Sequence, residues 1–155
     1  MKDVTIYTDG ACSGNPGAGG YGIVLLYKDI RKEVSVGYKR TTNNRMETMA
    51  VIRALQLLKE PCNVTIYTDS SYVVNAINKG WLKNWQKNNW ITSSKKKVSN
   101  IDLWEEMLPL SDIHNTKFIW VKGHADNQEN NRCDYLAREG MKKEILLEDV
   151  NYVSI

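Results

Sequence analysis

Val4-Thr5-Ile6-Tyr7-Thr8-Asp9 recurs letter for letter as Val64-Thr65-Ile66-Tyr67-Thr68-Asp69. Each copy is short, β-branched and aromatic. Each ends on an aspartate followed by small residues, Gly10-Ala11 in one case and Ser70-Ser71 in the other. That is the pattern of a buried strand running into a turn. Side by side, two such strands present Asp9 and Asp69 at one edge of a sheet. A single aspartate there caps the turn or helix that follows. Two in identical contexts point to a site, and their carboxylates repel unless positive charge sits between them.

The chain around the two copies supplies the sheet. Gly10 to Gly20 reads as a loop. Gly17, Gly19 and Gly22 formally match G-x-G-x-x-G, but that dinucleotide fingerprint must open a helix, and here it enters the strand-like run Tyr21 to Tyr27. No Gly-Lys-Ser/Thr follows, which excludes a P-loop. Asp29 to Lys32 makes a hairpin turn, and Glu33 to Arg40 alternates Val34, Val36 and Tyr38 as a half-buried strand does. The start is a three-strand antiparallel meander.

Asn43-Asn44-Arg45-Met46-Glu47 opens a helix whose apolar positions are Ala50, Val51, Ala54, Leu55 and Leu58. Extending that stripe backward lands on Glu47, a carboxylate at the head of the sheet-facing side. Asn44-x-x-Glu47 also has the spacing of a capping box. Glu60-Pro61 stops the helix before the second hexapeptide. Strand, helix, strand implies a right-handed crossover and parallel pairing. Asp69 then lies beside Asp9 at the C-terminal strand ends, where open α/β sheets keep their sites.

Ser70 to Asn78 is a further helix, broken at Gly80. Trp81 and Trp85 share one helical face beyond it, and Lys83 and Lys87 another. From Ser70 to Ile101 there is no acid, yet there are six lysines: Lys79, Lys83, Lys87 and Lys95 to Lys97. The net charge of +3 therefore conceals one strongly basic surface on a mildly acidic body. Tryptophans interleaved with lysines suit a nucleic-acid partner, although at least one tryptophan is expected to anchor the segment. Ile101 to Leu110 reads as a helix, Lys117 to Val121 as a fifth strand, and Lys122 to Asn130 as a polar loop holding His124. The last helix is expected from Asn131, with Asp134 in its first turn at the border of the inner face. His114 falls in a polar turn, and its replacement is expected to change nothing.

At 155 residues, 42% hydrophobic and 25% charged, the chain suits one globular domain burying roughly 70% of its unfolded surface. No apolar run of about 18 residues or signal-like segment occurs, so membrane and secretory classes are set aside. Cys12, Cys62 and Cys133 fit no zinc spacing and read as free thiols of a reducing cytosol. A cytoplasmic monomer is expected.

Asp9, Glu47, Asp69 and Asp134 thus converge near one sheet edge with no lysine or arginine evident among them. Hard divalent cations with oxygen ligands remove the cost of such a gathering. An acidic metal site beside a basic arm suggests phosphoryl transfer on a polyanion.

The chain resembles the bacterial type I ribonucleases H in the stretches YTDGACSGNPG (7–17), TTNNRMETMA (41–50), TDSSYV (68–73), Ile101-Asp102-Leu103-Trp104 and WVKGHADNQENNRCDYLA (120–137). Together these span Val4 to about Gly140 in order. The resemblance implies an α/β ribonuclease H-like fold, a five-stranded mixed sheet with helices on both faces, in residues 1–143. It implies a basic protrusion at 80–98, and leaves 144–155 as a tail without a counterpart. The activity implied is endonucleolytic hydrolysis of RNA within an RNA/DNA hybrid, leaving 3′-hydroxyl and 5′-phosphate ends. Two Mg²⁺ ions, with Mn²⁺ as an alternative, are implied at Asp9, Glu47, Asp69 and Asp134, with His124 as the catalytic loop histidine. RNA-strand contacts are implied at Cys12, Asn15, Asn43 and Asn44. DNA-strand contacts are implied at Arg40, Thr42 and Asn100, with a clamp of Trp81, Lys83, Trp85 and Lys87. Ser71 and Ser99 depart from the family's common Gln and Lys and bear on groove contacts rather than on chemistry. Rival readings are a silent nucleic-acid-binding module and an integrase-type strand-transfer domain. The full set of acids with His124 speaks against the first, and the Asn-Asn-Arg-Met-Glu loop with the Trp/Lys protrusion against the second.

Overall fold

The computed structural model of the chain describes residues 1–123 and 125–152. Its five strands are β1 (Lys2–Cys12), β2 (Gly17–Tyr27), β3 (Ile30–Thr41), β4 (Cys62–Thr68) and β5 (Asn115–Trp120). They form one mixed sheet in the order β3-β2-β1-β4-β5. β2 is antiparallel to both β1 and β3, while β4 is parallel to both β1 and β5. The hexapeptides lie in the middle, and their register aligns the copies residue for residue: Val4 with Val64, Ile6 with Ile66, Thr8 with Thr68. Period-two alternation sends Val4, Ile6, Val64 and Ile66 to one fully buried face. Tyr7 and Tyr67 stack on the other, with ring centroids 4.8 Å apart.

The helices are α1 (Asn43–Gln56), α2 (Ser71–Asn78), α3 (Trp81–Lys87), α4 (Ile101–Ile113) and α5 (Gln128–Met141). Helices cover both faces, and the glycine-rich stretch explains how. A side chain at Gly19 would run into Met46 of α1, whereas one at its neighbour Gly20 would run into the backbone of α5 at Ala137. Successive strand residues point to opposite faces, so α1 and α5 sit on opposite sides at close range. Gly22 is likewise pressed under the Cys133 carbonyl. These glycines admit helices, not phosphates. For the same reason most of the expected loop from Gly10 to Gly20 is strand, with Gly10 paired to Tyr21 and Cys12 to Gly19.

Several boundaries differ from expectation. The N-cap of α1 is Thr42, whose Oγ1 accepts the Arg45 N–H at 3.3 Å, so no Asn44–Glu47 capping box forms. α5 starts at Gln128 rather than Asn131, because Asn127 caps it through the Asn130 N–H at 3.0 Å. Asp134 is therefore the seventh residue of its helix, beyond the first turn where dipole and capping effects are felt. α4 runs to Ile113 through Pro109, and β5 begins at Asn115. The tail after α5 docks on the outer edge of the sheet: Leu147 N–H donates to the Gly37 carbonyl (2.9 Å) and Lys39 N–H to the Leu147 carbonyl (2.8 Å).

α2, α3 and α4 complete the α1 side. Trp104 of α4 is fully buried, with Tyr72 and Trp85 rings 5.3 and 6.2 Å from it. Trp85, with buried Leu82, is the anchor of the basic segment, as expected of one tryptophan. Trp81 stays 40% exposed.

His114 is a correction: it is buried, and its Nδ1 accepts the Cys62 N–H at 3.1 Å. Only the neutral ring can accept, and burial holds its pKa below the ordinary value of 6.5. A group with a depressed folded pKa contributes fully above its unfolded pKa, and that contribution is lost as pH falls through the folded value. We predict that His114→Ala costs about 1–3 kcal/mol at neutral pH by orphaning the amide. The gap between wild type and variant should close on acidification below pH about 6.5. Denaturant melts of both proteins across that range measure it, and a gap that is absent or independent of pH contradicts the assignment.

Candidate active site

The parallel register of β1 and β4 carries Asp9 and Asp69 to the same end of adjacent strands. Glu47 arrives from α1, and Gly10 makes the approach feasible: a Cβ there would lie 2.5 Å from the Glu47 nitrogen and 2.7 Å from the Met46 carbonyl carbon. With Thr42 as the cap, Glu47 is one turn inside the helix and free of capping duty. Carboxylate oxygens of Asp9, Glu47 and Asp69 lie within 4.8 Å of one another. Asp9 and Glu47 are buried and Asp69 half-buried. Asp9 Oδ1 accepts the Gly10 N–H at 2.9 Å, whereas Glu47 Oε2 is buried without a hydrogen-bond partner among the described residues.

The electrostatics follow. Burial, then the charge of Asp69, pushes the Asp9 carboxyl up to about 8. Burial, then the charge of Asp9, raises Glu47 well above the usual carboxylate range. An all-oxygen donor set with an orphaned buried carboxylate oxygen fits a hard divalent cation, which prefers carboxylate ligands and reverses the repulsion.

Asp134 stands outside this tight trio. Its charge still raises Asp9, but its Oδ2 accepts from Arg138 Nε at 3.0 Å, one turn along α5. An arginine does stand beside one of the four acids, contrary to the sequence expectation. The i,i+4 spacing on one helix carried that signal. The β5–α5 loop passes against Asp69: a Cβ on Gly123 would lie 2.6 Å from Asp69 Oδ2, and Trp120 Nε1–H donates to the Asp69 carbonyl at 3.1 Å. His124, the next residue, lies outside the described residues.

The RNase H family model matches residues 1–142. The ribonuclease H of Desulforamulus reducens is 59% identical over 150 residues, covering 97% of this chain and 94% of that protein. The ribonuclease H of Chlorobaculum parvum is 62% identical, covering 92% and 98%. The chain belongs to the ribonuclease H family. Among solved structures, LC9-RNase H1, described as a type 1 RNase H with the type 2 active-site motif, is similar at a TM-score of 0.82. It is 29% identical, with 92% of this chain and 73% of that one covered. The family consists of metal-dependent endonucleases, which agrees with the donor set here.

The remaining candidates of this ribonuclease H gather in two places. Around the start of α1, Asn15 Oδ1 accepts the Asn43 N–H at 3.1 Å, and Cys12 Sγ lies 3.5 Å from the Thr41 carbonyl. Asn43 and Asn44 are exposed there, and Arg40 is exposed near the end of β3. Asn15, Thr42, Asn44 and Asn100 line a common groove of about 490 Å³ with Lys97. On α3, Lys83 and Lys87 are exposed, the Trp81 ring lies tilted beside Trp85 with centroids 6.3 Å apart, and Lys79 Nζ sits 5.6 Å over the Trp81 ring. Sequence reasoning missed the buried Arg45 and its partners, Asp149, which is buried, and Asp102, which is one-third exposed in the lining of that groove.

A carboxyl whose folded pKa is raised stabilises at low pH and loses that contribution as pH rises through the folded value. Metal-free wild type is therefore predicted to lose stability between pH about 4 and about 8. In chelator at neutral pH, Asp9→Asn should melt above wild type, by about 2–4 °C for each kcal/mol of repulsion relieved. Added Mg²⁺ should raise the wild-type melting temperature more than that of the variant. A variant that melts below wild type in chelator, or responds equally to Mg²⁺, contradicts this reading of the trio.

Proposed function

We propose that this chain hydrolyses the RNA strand of RNA/DNA hybrids endonucleolytically, leaving 3′-hydroxyl and 5′-phosphate ends, with Asp9, Glu47, Asp69 and Asp134 holding two Mg²⁺ ions. Mn²⁺ is the alternative metal. The observation that carries the proposal is the carboxylate trio within 4.8 Å, with one buried oxygen of Glu47 unpartnered. Bound divalent cations supply polarisation of the scissile phosphate and a lowered pKa for an attacking water.

The chain's own residues do the rest. Gly10 N–H fixes one oxygen of Asp9, so its other oxygen is left to face the trio. α1 holds Glu47 from above, and the β5–α5 loop presses on Asp69 through Gly123. His124, which follows Gly123 in the sequence, assists proton transfer or departure of the cleaved phosphate. Cys12, Asn15, Asn43 and Asn44 read the RNA 2′-hydroxyls, the feature that distinguishes RNA from DNA at a given position. Arg40, Thr42 and Asn100 hold a DNA-strand phosphate. Residues 80–98 form a protrusion whose Trp81, Lys83, Trp85 and Lys87 clamp the DNA strand. The catalytic domain occupies 1–143. No helix among the described residues is long and apolar enough to cross a membrane. We place the protein in the cytoplasm as a monomer, in keeping with three free cysteines, two of them buried.

The direct test offers labelled RNA/DNA, RNA/RNA, DNA/DNA and single-stranded RNA with and without Mg²⁺. Only the hybrid should be cut, only with metal, and a hybrid carrying 2′-deoxy groups near the scissile bond should be cut poorly. In the same assay His124→Ala should slow turnover without abolishing it. Equal cleavage of a DNA duplex would overturn the substrate assignment and favour an integrase-type reading.

Lys83 and Lys87 stand one turn apart on α3 and are exposed. Each phosphate contact contributes a slope of about −0.9 to the salt dependence of binding, taking duplex DNA as the guide. Replacing both lysines with Ala should raise KM and flatten the slope by at most about two contacts, with kcat at saturation little changed. Steady-state cleavage at several salt concentrations measures both quantities. An unchanged KM and slope would mean that these lysines are only a solvated face.

A further inference from the structure

The C-terminal segment, which the sequence left without a role, reaches the groove beside the active site. Its anchor is Arg45, a buried arginine whose five guanidinium hydrogens are all directed at oxygen. Nε donates to Asp149 Oδ2 (2.6 Å) and Nη2 to Asp149 Oδ1 (3.0 Å) and Asp102 Oδ2 (2.7 Å). Nη1 donates to Asp102 Oδ1 (2.9 Å) and to Asn100 Oδ1 (3.2 Å). Asp149 also accepts from Thr41 Oγ1 at 2.7 Å, and its side chain is 2% exposed. Asn100 is gripped at both ends of its amide, since Nδ2 donates to the Tyr72 hydroxyl at 3.1 Å. Asn100 has φ +62°, a conformation asparagine tolerates better than most residues.

Beyond Asp149 the chain turns, with Tyr152 N–H donating to the Asp149 carbonyl at 3.1 Å. This turn brings Asn151 and Tyr152 into the lining of the groove that also holds Thr42, Asn44, Lys97 and Asn100. The groove therefore offers neutral donors, one ammonium and the N-terminal end of α1, a combination suited to a phosphodiester, while the one carboxylate in its lining, Asp102, is already paired with Arg45. The helix that opens at Thr42 carries Glu47 into the acid trio one turn later, so substrate held here is in register with the chemistry.

We propose that residues 149–152 are part of the hybrid-binding surface: Asp149 fixes Asn100 in the groove through Arg45, and Asn151 and Tyr152 meet the DNA-strand phosphate held there. The inference rests on the nuclease reading above. Asp149 acts as a positioning residue, and Asn151 and Tyr152 as contacts that add affinity without adding charge.

The test is steady-state cleavage by the full chain as wild type, Asp149→Asn and Asn151→Ala/Tyr152→Ala. The substrates are an unmodified hybrid and a series in which one DNA-strand phosphate at a time is a neutral methylphosphonate. Melting temperatures are taken alongside. Wild-type cleavage of the unmodified hybrid reports on the nuclease reading by itself. In both variants we expect KM to rise about three- to tenfold, the range one lost phosphate contact supports. The loss should appear in KM rather than kcat. At one methylphosphonate position the wild-type penalty should shrink in the variants, a coupling that a merely stabilising tail would not produce. Slopes of affinity against salt should stay as in wild type for the Asn151/Tyr152 variant, because neither side chain is charged. Asp149→Asn disturbs a buried ion pair and can lose folded protein. The double variant leaves that pair intact and carries the test by itself if it does. Wild-type KM in the double variant, or a raised KM with the full methylphosphonate penalty at every position, overturns the proposal.

Discussion

Three carboxylates within 4.8 Å, two of them buried, are the constraint around which this molecule is arranged. Two unit charges at about 4–5 Å repel by about 4 kcal/mol at an effective dielectric near 20. Burial adds to that, since it disfavours the charged form before any neighbour is counted. Asp9 and Glu47 both respond with raised pKa values. Such an arrangement persists only where the surrounding structure leaves the side chains no alternative positions. The in-register hexapeptides provide this on one side, because Ile6 and Ile66 are locked in the core three residues before each aspartate. Gly10 provides it on the other, by letting α1 approach until Glu47 overhangs the strand ends.

The same logic separates the trio from Asp134. Asp9, Glu47 and Asp69 are placed by the sheet and by the α1 packing on it, with no ion-pair partner for any of them among the described residues. Asp134 sits on α5 with Arg138 one turn away, and its half-buried carboxylate is already partnered. In the absence of metal the site is therefore a rigid trio with a fourth carboxylate turned toward an exposed arginine. That pairing is weak, since an i,i+4 ion pair on a helix surface is worth only about 0.3–0.5 kcal/mol.

What was legible in the sequence and what was not divides along physical lines. The repeat disclosed the parallel pair because β-branched and aromatic residues bounded by turn residues have few other uses. Glu47 was legible because a carboxylate on an apolar helical stripe is costly unless it has a purpose. The glycine-rich stretch was misread as loop because local propensity ignores the helices pressed on both faces at Gly19, Gly20 and Gly22. The start of α5 was misplaced because Asn127 was hidden among other polar residues as a cap. The Arg45–Asp149 pair was invisible: its partners lie 104 residues apart, and nothing local in either segment announces burial. His114 failed similarly, its partner Cys62 being 52 residues away. Local periodicity reveals elements and faces, whereas long-range polar pairing is decided by tertiary approach.

The distribution of charge explains why a metal is needed at all. The substrate is a polyanion, and the chain carries six lysines and no acid between Ser70 and Ile101. That surface concentrates phosphate near the molecule, an effect that falls off within about 10 Å at ordinary ionic strength. The acid trio does the opposite at close range. Phosphate that reaches the trio meets carboxyl groups that repel it as they ionise, and Arg45, on the same helix as Glu47, is saturated by Asp102 and Asp149. No lysine can relieve this from within the trio without neutralising the ligands that a cation requires. The positive charge must therefore enter from solution, as a cation that Asp9, Glu47 and Asp69 would hold and that would offset the repulsion of phosphate. On the proposed clamp reading, attraction and chemistry are held on separate surfaces, and loss of metal would leave a protein that still binds its substrate's backbone but opposes it at the reacting bond.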